Sequence, residues 1–372
     1  MAAAFQPVLA LGLMSGTSMD GIDAALIETD GVSRVSTGVR LSIPYEAVFR
    51  ARLAEAAHGD ADPYGVEREL TDRHAEAVRA LLMRAALKPC AVRVIGFHGH
   101  TIRHAPDERL TVQIGDGARL CALSGIDVVS DFRRHDVASG GEGAPLAPAF
   151  HAALTDAIER PVAVLNLGGV GNVTFVPAGD AAELRLVAFD TGPGGALIDD
   201  WALRHTGEPI DRDGRLAASG QVDRRALAVL LEAPYFDRPP PKSLDRNAFD
   251  LGPVRRLDPA NGAATLTAFT AAAVARSLDF LPAAPGRWLV TGGGRHNPVL
   301  MAALGVALGV PVEPIEAIGA DGDALEAQAF AYLAVRSLRG LPLSFPSTTG
   351  VPRPTTGGAH HRTRTVMEGR GP

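Results

Sequence analysis

Residues 8–27, VLALGLMSGTSMDGIDAALI, decide how the chain is read. Residues 8–13 and 22–27 are apolar runs of strand length, and Ser15-Gly16-Thr17-Ser18-Met19-Asp20-Gly21 between them is a tight polar turn. Glycine lets a backbone approach an anion closely, and successive amides with the hydroxyls of Ser15, Thr17 and Ser18 can wrap phosphate oxygens. Asp20 and Asp23 would repel a bare phosphate, so they suit one carried with a cation, most simply magnesium on a nucleotide. The same residue types also build an ordinary hairpin turn. The rest of the chain has to separate these two readings.

A second device of the same kind lies further on. Residues 162–167, the turn Gly168-Gly169-Val170-Gly171-Asn172 and residues 173–176 repeat strand, glycine turn and strand, in organisation rather than in residue identity. Two such turns in one chain favour a nucleotide gripped between facing turns. A third cluster, Gly292-Gly293-Gly294, stands between a strand (288–291) and a helix (298–308), where close approach of a base or ribose is possible.

Working outward, residues 46–58 and 64–87 read as helices, the second with Val66, Leu70, Ala77, Val78, Leu81 and Leu82 at helical spacing. Short apolar runs at 92–97, 111–114, 127–129 and 184–189 read as strands, and 145–154, 196–205, 263–280 and 324–338 as helices. This alternation is that of an α/β sheet. With 372 residues the chain exceeds a single typical core. The expected division is a first lobe over 1–145, a second over 146–343, and a mostly disordered tail over 344–372, rich in Pro, Ser, Thr, Gly and Arg.

Composition narrows the function classes. The chain is 46% apolar, 21% charged and 5% aromatic, with a net charge of −6, which argues against nucleic acid or an anionic membrane as the main partner. Cys90 and Cys121 lie in unrelated segments and suggest neither a disulfide framework nor a zinc site. No lysine or arginine precedes Arg34, so the apolar start lacks the basic region of a secretory signal, and the expected location is cytoplasmic. Residues 161–179 are uncharged, but their four glycines suit a hairpin better than a spanning helix.

Phosphoryl transfer needs phosphates held in line, a cation, and a carboxylate that takes a proton from the attacking oxygen. Asp190 is best placed for the last role, at the end of an apolar strand and before the turn Thr191-Gly192-Pro193-Gly194-Gly195. An Asx-turn aspartate is the other reading of Asp190. Asp199 and Asp200 fall in a helix, as an exposed face or around magnesium. In FHGHTIRH (97–104), His98, His100 and His104 have a metal-like spacing only if helical; Gly99, Thr101 and Ile102 point to a strand end or loop instead. A polar substrate contact or a structural role is then left open for them. Arg133 in Ser130-Asp131-Phe132-Arg133-Arg134 follows a strand and could meet a substrate carboxylate bidentately, or make a surface ion pair. Walker A, dinucleotide Gly-x-Gly-x-x-Gly and Gly-x-Ser-x-Gly patterns are missing, so hydrolase and dehydrogenase readings lose ground.

The ordered motifs GLMSGTSMDGID (12–23), SDFR (130–133) with GGEGAPLAPAFH (140–151), NLGGVGNVT (166–174), AFDTGPGGALID (188–199), PPKS (240–243) and GGGRHNP (292–298) resemble the anhydro-N-acetylmuramic acid kinases. These belong to the wider superfamily of sugar kinases, actin and heat-shock chaperone ATPases. The resemblance implies an α/β fold of two actin-like, ribonuclease H-like lobes, duplicated α/β domains with ATP in the interlobe cleft. It also implies that 1,6-anhydro-N-acetylmuramate, ATP with Mg2+, and water give N-acetylmuramate 6-phosphate and ADP in cell-wall recycling. Carried over residue by residue, Gly16, Thr17, Ser18, Met19, Asp20, Gly21, Ile22 and Asp23 hold ATP phosphate, with Gly168, Gly169, Gly292 and Gly293 completing the nucleotide site. Asp190 is the base, and His100, Asp131 and Arg133 face the sugar. The resemblance admits a homodimer. Three positions depart from the family pattern: Gly195 where Asn is usual, His100 where Gln is usual, and Glu142 where Gln is common. Competing readings are an ordinary sugar kinase and an ATP-gated binding protein of the actin or chaperone kind. The binding protein would need no base at Asp190 and would carry a peptide-binding domain or filament surface.

Overall fold

A computed structural model describes residues 5–16, 19–59, 61–105, 108–179, 185–245 and 248–363. Its strands, in chain order, are β1 (Val8–Met14), β2 (Gly21–Thr29), β3 (Val35–Pro44), β4 (Val94–Phe97), β5 (His100–Ala105), β6 (Leu110–Ile114), β7 (Val128–Ser130), β8 (Val162–Leu167), β9 (Val170–Val176), β10 (Val187–Pro193), β11 (Arg287–Thr291), β12 (Val312–Pro314) and β13 (Ala359–His361). The chain forms two compact units. The first runs to Asp156 and adds Ala324–Pro346 and the chain from Val351; the second is Ala157–Asp323 with Ser347–Gly350.

The first unit is built on a sheet ordered β13-β7-β4-β1-β2-β3. β1 and β2 form the expected hairpin, with Leu11 opposite Leu26 and Met14 opposite Asp23. β3 continues antiparallel beside β2, whereas β4 and β7 run parallel to β1. The crossover from the hairpin to β4 includes the helix Tyr64–Arg84, which buries Val66, Leu70, Ala77, Val78, Leu81 and Leu82. The expected helical stripe therefore faces the core. β5 and β6 form a separate two-stranded ribbon.

The second unit repeats this plan. Its sheet is ordered β10-β9-β8-β11-β12, with β8, β9 and β10 antiparallel in succession and β11 and β12 parallel to β8. Three antiparallel strands followed by two parallel ones thus occur twice, and each sheet starts from a hairpin closed by a glycine turn. The uncharged segment 161–179 is the β8–β9 hairpin. Among the described residues no helix is long and apolar enough to cross a membrane.

Three boundaries differ from the sequence expectation, the first being that the opening segment of the first unit runs to Asp156 rather than to 145. The helix Leu325–Leu338 belongs to the first unit, so the second unit ends at Asp323 rather than at 343. The reason is steric. Gly12 and Gly96 are partners in the β1–β4 register, and a Cβ on either would stand 1.7 Å from the Ala327 carbonyl oxygen or 2.0 Å from that of Phe330. Two bare glycines side by side let this alanine-rich helix lie directly on the sheet. The expected tail over 344–372 is likewise ordered as far as Thr363. β13 pairs antiparallel with β7, Ala359 opposite Ser130, and the Thr363 amide donates to Asp127 Oδ1 at 2.9 Å. Polar composition suggested disorder, but the open edge of β7 offers backbone partners that composition does not reveal. Residues 364–372 lie outside the described residues.

Replacing Gly12 by Ala puts a methyl group into a backbone carbonyl that has no rotamer with which to yield. Urea unfolding of Gly12→Ala is expected to show a loss on the order of 3 kcal/mol or more.

Candidate active site

In the first unit the β1–β2 turn starts at Ser15, which is buried. The Tyr45 hydroxyl donates to Ser15 Oγ at 2.8 Å, and Ser15 Oγ lies 3.0 Å from His100 Nδ1. The three side chains form one buried chain, Tyr45 to Ser15 to His100, while His100 Nε2 has no hydrogen-bond partner among the described residues. Thr17 and Ser18, both assigned to the nucleotide, lie outside the described residues. Met19 has a left-handed backbone (φ 55°), and its amide closes the turn onto the Gly16 carbonyl at 3.0 Å. Asp20 is exposed, Gly21 opens β2, Ile22 is in the core and Asp23 is half-buried. The Asp20 carbonyl accepts from the Tyr45 amide at 2.9 Å, so the turn is tied to the chain beyond β3 through both backbone and side chain.

His100 is fully buried beneath the turn, where its Nδ1 meets Ser15 Oγ. His98, at the end of β4, accepts at Nε2 from Arg133 Nε (3.1 Å), so its proton sits on Nδ1 and is given to the Gly99 carbonyl (3.0 Å). Burial, reinforced by the Arg133 charge, holds His98 well below the ordinary imidazole range. Arg133 also donates to the Gly143 carbonyl at 2.8 Å, and the charges of Glu326 and Asp136 act on it. Asp131, in a left-handed conformation (φ 57°), pairs with Arg134 at 3.3 Å, and burial pushes its carboxyl up. The two candidates at this strand end therefore engage different partners: Arg133 turns to His98, Asp131 to Arg134.

Glu326 is a candidate the sequence reading missed. Its side chain is exposed by surface area, yet the crowding of the protein around it pushes its carboxyl up, with Asp23 and Asp20 acting in the same sense and Arg133 against them. An acid in the first turn of a helix is ordinary capping chemistry, so nothing in the sequence marks it.

In the second unit Asp190 lies inside β10, opposite Asn172, and the register shifts between Asp190 and Gly192. The bulge leaves Thr191 as the extra residue, a device that re-aims a side chain where a sheet meets a site. Thr191 Oγ1 is buried and has no hydrogen-bond partner among the described residues. Asp190 is gripped by one loop in three places. Its amide donates to the Lys242 carbonyl (3.1 Å), its carbonyl accepts from the Tyr235 hydroxyl (2.6 Å), and its Oδ2 accepts from the Leu244 amide (2.8 Å).

The glycine turn at Gly168-Gly169 faces the start of the helix Ala196–Thr206. The amides of Gly194 and Gly195 donate to the carbonyls of Gly169 (3.0 Å) and Gly168 (2.7 Å). A Cβ on Gly293 would meet nothing within 4 Å, so that turn has open space beside it. Behind it Arg295 is buried, bonded to the Gly292 carbonyl (2.9 Å), Glu316 (2.9 Å) and Asp323 (2.6 Å), which holds the turn in place. Taken unit by unit, the carboxylates at Asp20 and Asp23 suit a divalent cation in the first, and the open glycine backbone at Gly293 suits a flat or anionic group in the second.

Each unit carries a glycine turn at the end of its sheet, and the second adds a strand carboxylate held by backbone donors, parts that phosphoryl transfer uses. A family model described as anhydro-N-acetylmuramic acid kinase matches residues 8–363. The anhydro-N-acetylmuramic acid kinase of Rhodospirillum rubrum is 55% identical over 365 residues, covering 97% of this chain and 96% of its own. That of Paramagnetospirillum magneticum is 56% identical over 357 residues, covering 95% and 99%. Among solved structures, a xylulose kinase from Rhodospirillum rubrum is similar with a TM-score of 0.43 at 16% identity, covering 86% of this chain and 92% of its own. The chain belongs to the anhydro-N-acetylmuramic acid kinase family.

His74, His100 and His151 are buried in the first unit, and burial brings each down to about 4 from 6.5. Between these two values the unfolded chain takes up protons that the folded unit refuses. Their contribution is thus complete above pH 6.5 and is lost as pH falls toward 4. The second unit's His205 and His296 are exposed. Hydrogen exchange followed by mass spectrometry from pH 7 to pH 4.5 is expected to show β1, β2 and the helix Tyr64–Arg84 losing protection before β8 and β11.

Proposed function

We propose that this protein opens 1,6-anhydro-N-acetylmuramate with water and phosphorylates it from ATP, giving N-acetylmuramate 6-phosphate and ADP in cytoplasmic cell-wall recycling. Membership of the family over residues 8–363 is the observation that carries this reading. Asp190 takes a proton from water as the water oxygen bonds to the anomeric carbon. The bond from that carbon to the bridging 6-oxygen breaks, and the 6-oxygen attacks the γ-phosphorus as the bond to the ADP oxygen breaks. A single carboxylate thereby serves ring opening and phosphorylation together.

The segment Gly16–Asp23 would hold the phosphates, with Asp20 and Asp23 beside Mg2+, which supplies charge neutralisation when bound. Gly168, Gly169, Gly292 and Gly293 would line the rest of the nucleotide site. The sugar's lactyl group carries a carboxylate, and the guanidinium of Arg133 is suited to pair with it. Its neighbour Asp131 would border the same sugar. His100, held at Nδ1 by Ser15 and unpartnered at Nε2 among the described residues, would border the sugar from beneath the turn.

ADP release by the purified protein with ATP and Mg2+ tests the reading directly. It is expected with 1,6-anhydro-N-acetylmuramate, matched by sugar 6-phosphate, and not with N-acetylmuramate or glucose. Turnover of a free sugar would make this an ordinary sugar kinase, and no sugar-dependent turnover would favour a binding protein. Asp190→Asn keeps an oxygen for the Leu244 amide, so it is expected to bind ATP normally while losing about 10²–10⁴-fold in kcat. Arg133→Met is expected to raise KM for the anhydro sugar by about 10- to 100-fold with little change in kcat.

A further inference from the structure

The loop that grips Asp190 contains a lysine to which the proposed reaction assigns no part. Lys242, in the PPKS motif, is 5% exposed. Its ammonium sits over three rings, 4.2 Å from the centroid of Phe280, 4.8 Å from Tyr235 and 5.6 Å from Phe189, and donates to the Tyr235 carbonyl at 3.3 Å. A strongly hydrated point charge is seldom sealed among rings unless its place matters, and a cage of aromatic faces offsets part of the lost hydration. Two walls of this cage connect directly to Asp190, and the third, Phe280, packs on one of them, Phe189. Phe189 is its chain neighbour, and Tyr235 bonds the Asp190 carbonyl. The Lys242 carbonyl itself takes the Asp190 amide, two residues before the Leu244 amide reaches Oδ2.

We propose that Lys242 is a positioning residue for the Asp190 carboxylate: its caged ammonium pins residues 235–244 against β10, and the pinned loop sets the orientation of the carboxylate through the Leu244 amide. The inference rests on the reading of Asp190 as the base. Lys242 acts through the loop rather than on substrate, since its head is enclosed by Phe280, Tyr235 and Phe189. Loosening the cage leaves the phosphate turns untouched, so binding and turnover separate. Misorienting a reacting group by a fraction of an ångström lowers the rate without weakening binding.

The test compares Lys242→Met, Lys242→Arg, Phe280→Leu and Asp190→Asn as full-length enzymes, with folded fraction checked by circular dichroism. Lys242→Met is expected to lower kcat at least about ten-fold with KM for ATP and for the anhydro sugar within two-fold of the parent. Lys242→Arg, which keeps a charge that stacks on rings, is expected to recover at least about three-fold of that loss. If Lys242→Met does not fold, Phe280→Leu carries the test through the far wall of the cage, with the same fall in kcat at unchanged KM. Parental kcat in the folded variants overturns the inference, as does a fall in kcat matched by rising KM for both substrates, or no recovery with arginine. Asp190→Asn separates the two readings. If it abolishes turnover while Lys242→Met does not, only the role of Lys242 falls; if it retains turnover, the base reading falls and this inference with it.

Discussion

The first unit depends on the contact between the helix Leu325–Leu338 and the two adjacent glycines beneath it. Gly12 and Gly96 bring helix backbone against sheet backbone, and no larger residue fits at either place. That contact fixes β1 and β4 in register. It thereby fixes what leaves their ends: Ser15 from β1, and His98 from β4. Because β1, β4 and β7 run parallel, Ser15, His98 and Asp131 all emerge at one edge of the sheet, the edge at which open α/β sheets place their ligands. The site residues of this unit follow from strand direction once the helix has seated.

The same logic holds in the second unit with different chemistry. β8 and β11 end in the glycine turns at Gly168 and Gly292, and β10, aligned in direction with β8, carries Asp190 toward the same edge. One topology used twice thus presents a phosphate-type turn from one copy and a carboxylate with open glycines from the other. The bulge after Asp190 is the local departure from regular pairing, and it falls where the carboxylate has to be aimed.

Much of this was legible in the sequence because hairpins with glycine turns have a strong local signature. Both opening hairpins, the helix Tyr64–Arg84 and the strand before Gly292 follow from apolar spacing and turn chemistry. β3 was passed over although Val35, Thr37, Val39, Leu41 and Ile43 alternate, because its charged and polar partners look like a loop when the adjoining β2 is not considered. β13 was illegible for a related reason: strand addition is decided by the partner edge, not by the added residues. Site residues divide in the same way. Asp190 is marked by its turn, whereas the burial of His100, the desolvation of Glu326 and the cage around Lys242 come from residues tens to hundreds of positions away.

The placement of Leu325–Leu338 also bears on how the chain is made. The first unit begins at the N-terminus but cannot seat its glycine-faced strands until a helix more than three hundred residues later has been synthesised. A nascent chain stopped before Ala324 would hold all of the second unit except Ser347–Gly350 and only an unroofed version of the first. Domains fold as units during synthesis, so the second unit can be nearly assembled while the first still exposes the face of β1 and β4. The hairpin that opens this sequence is therefore covered only after nearly all of the second unit has been made.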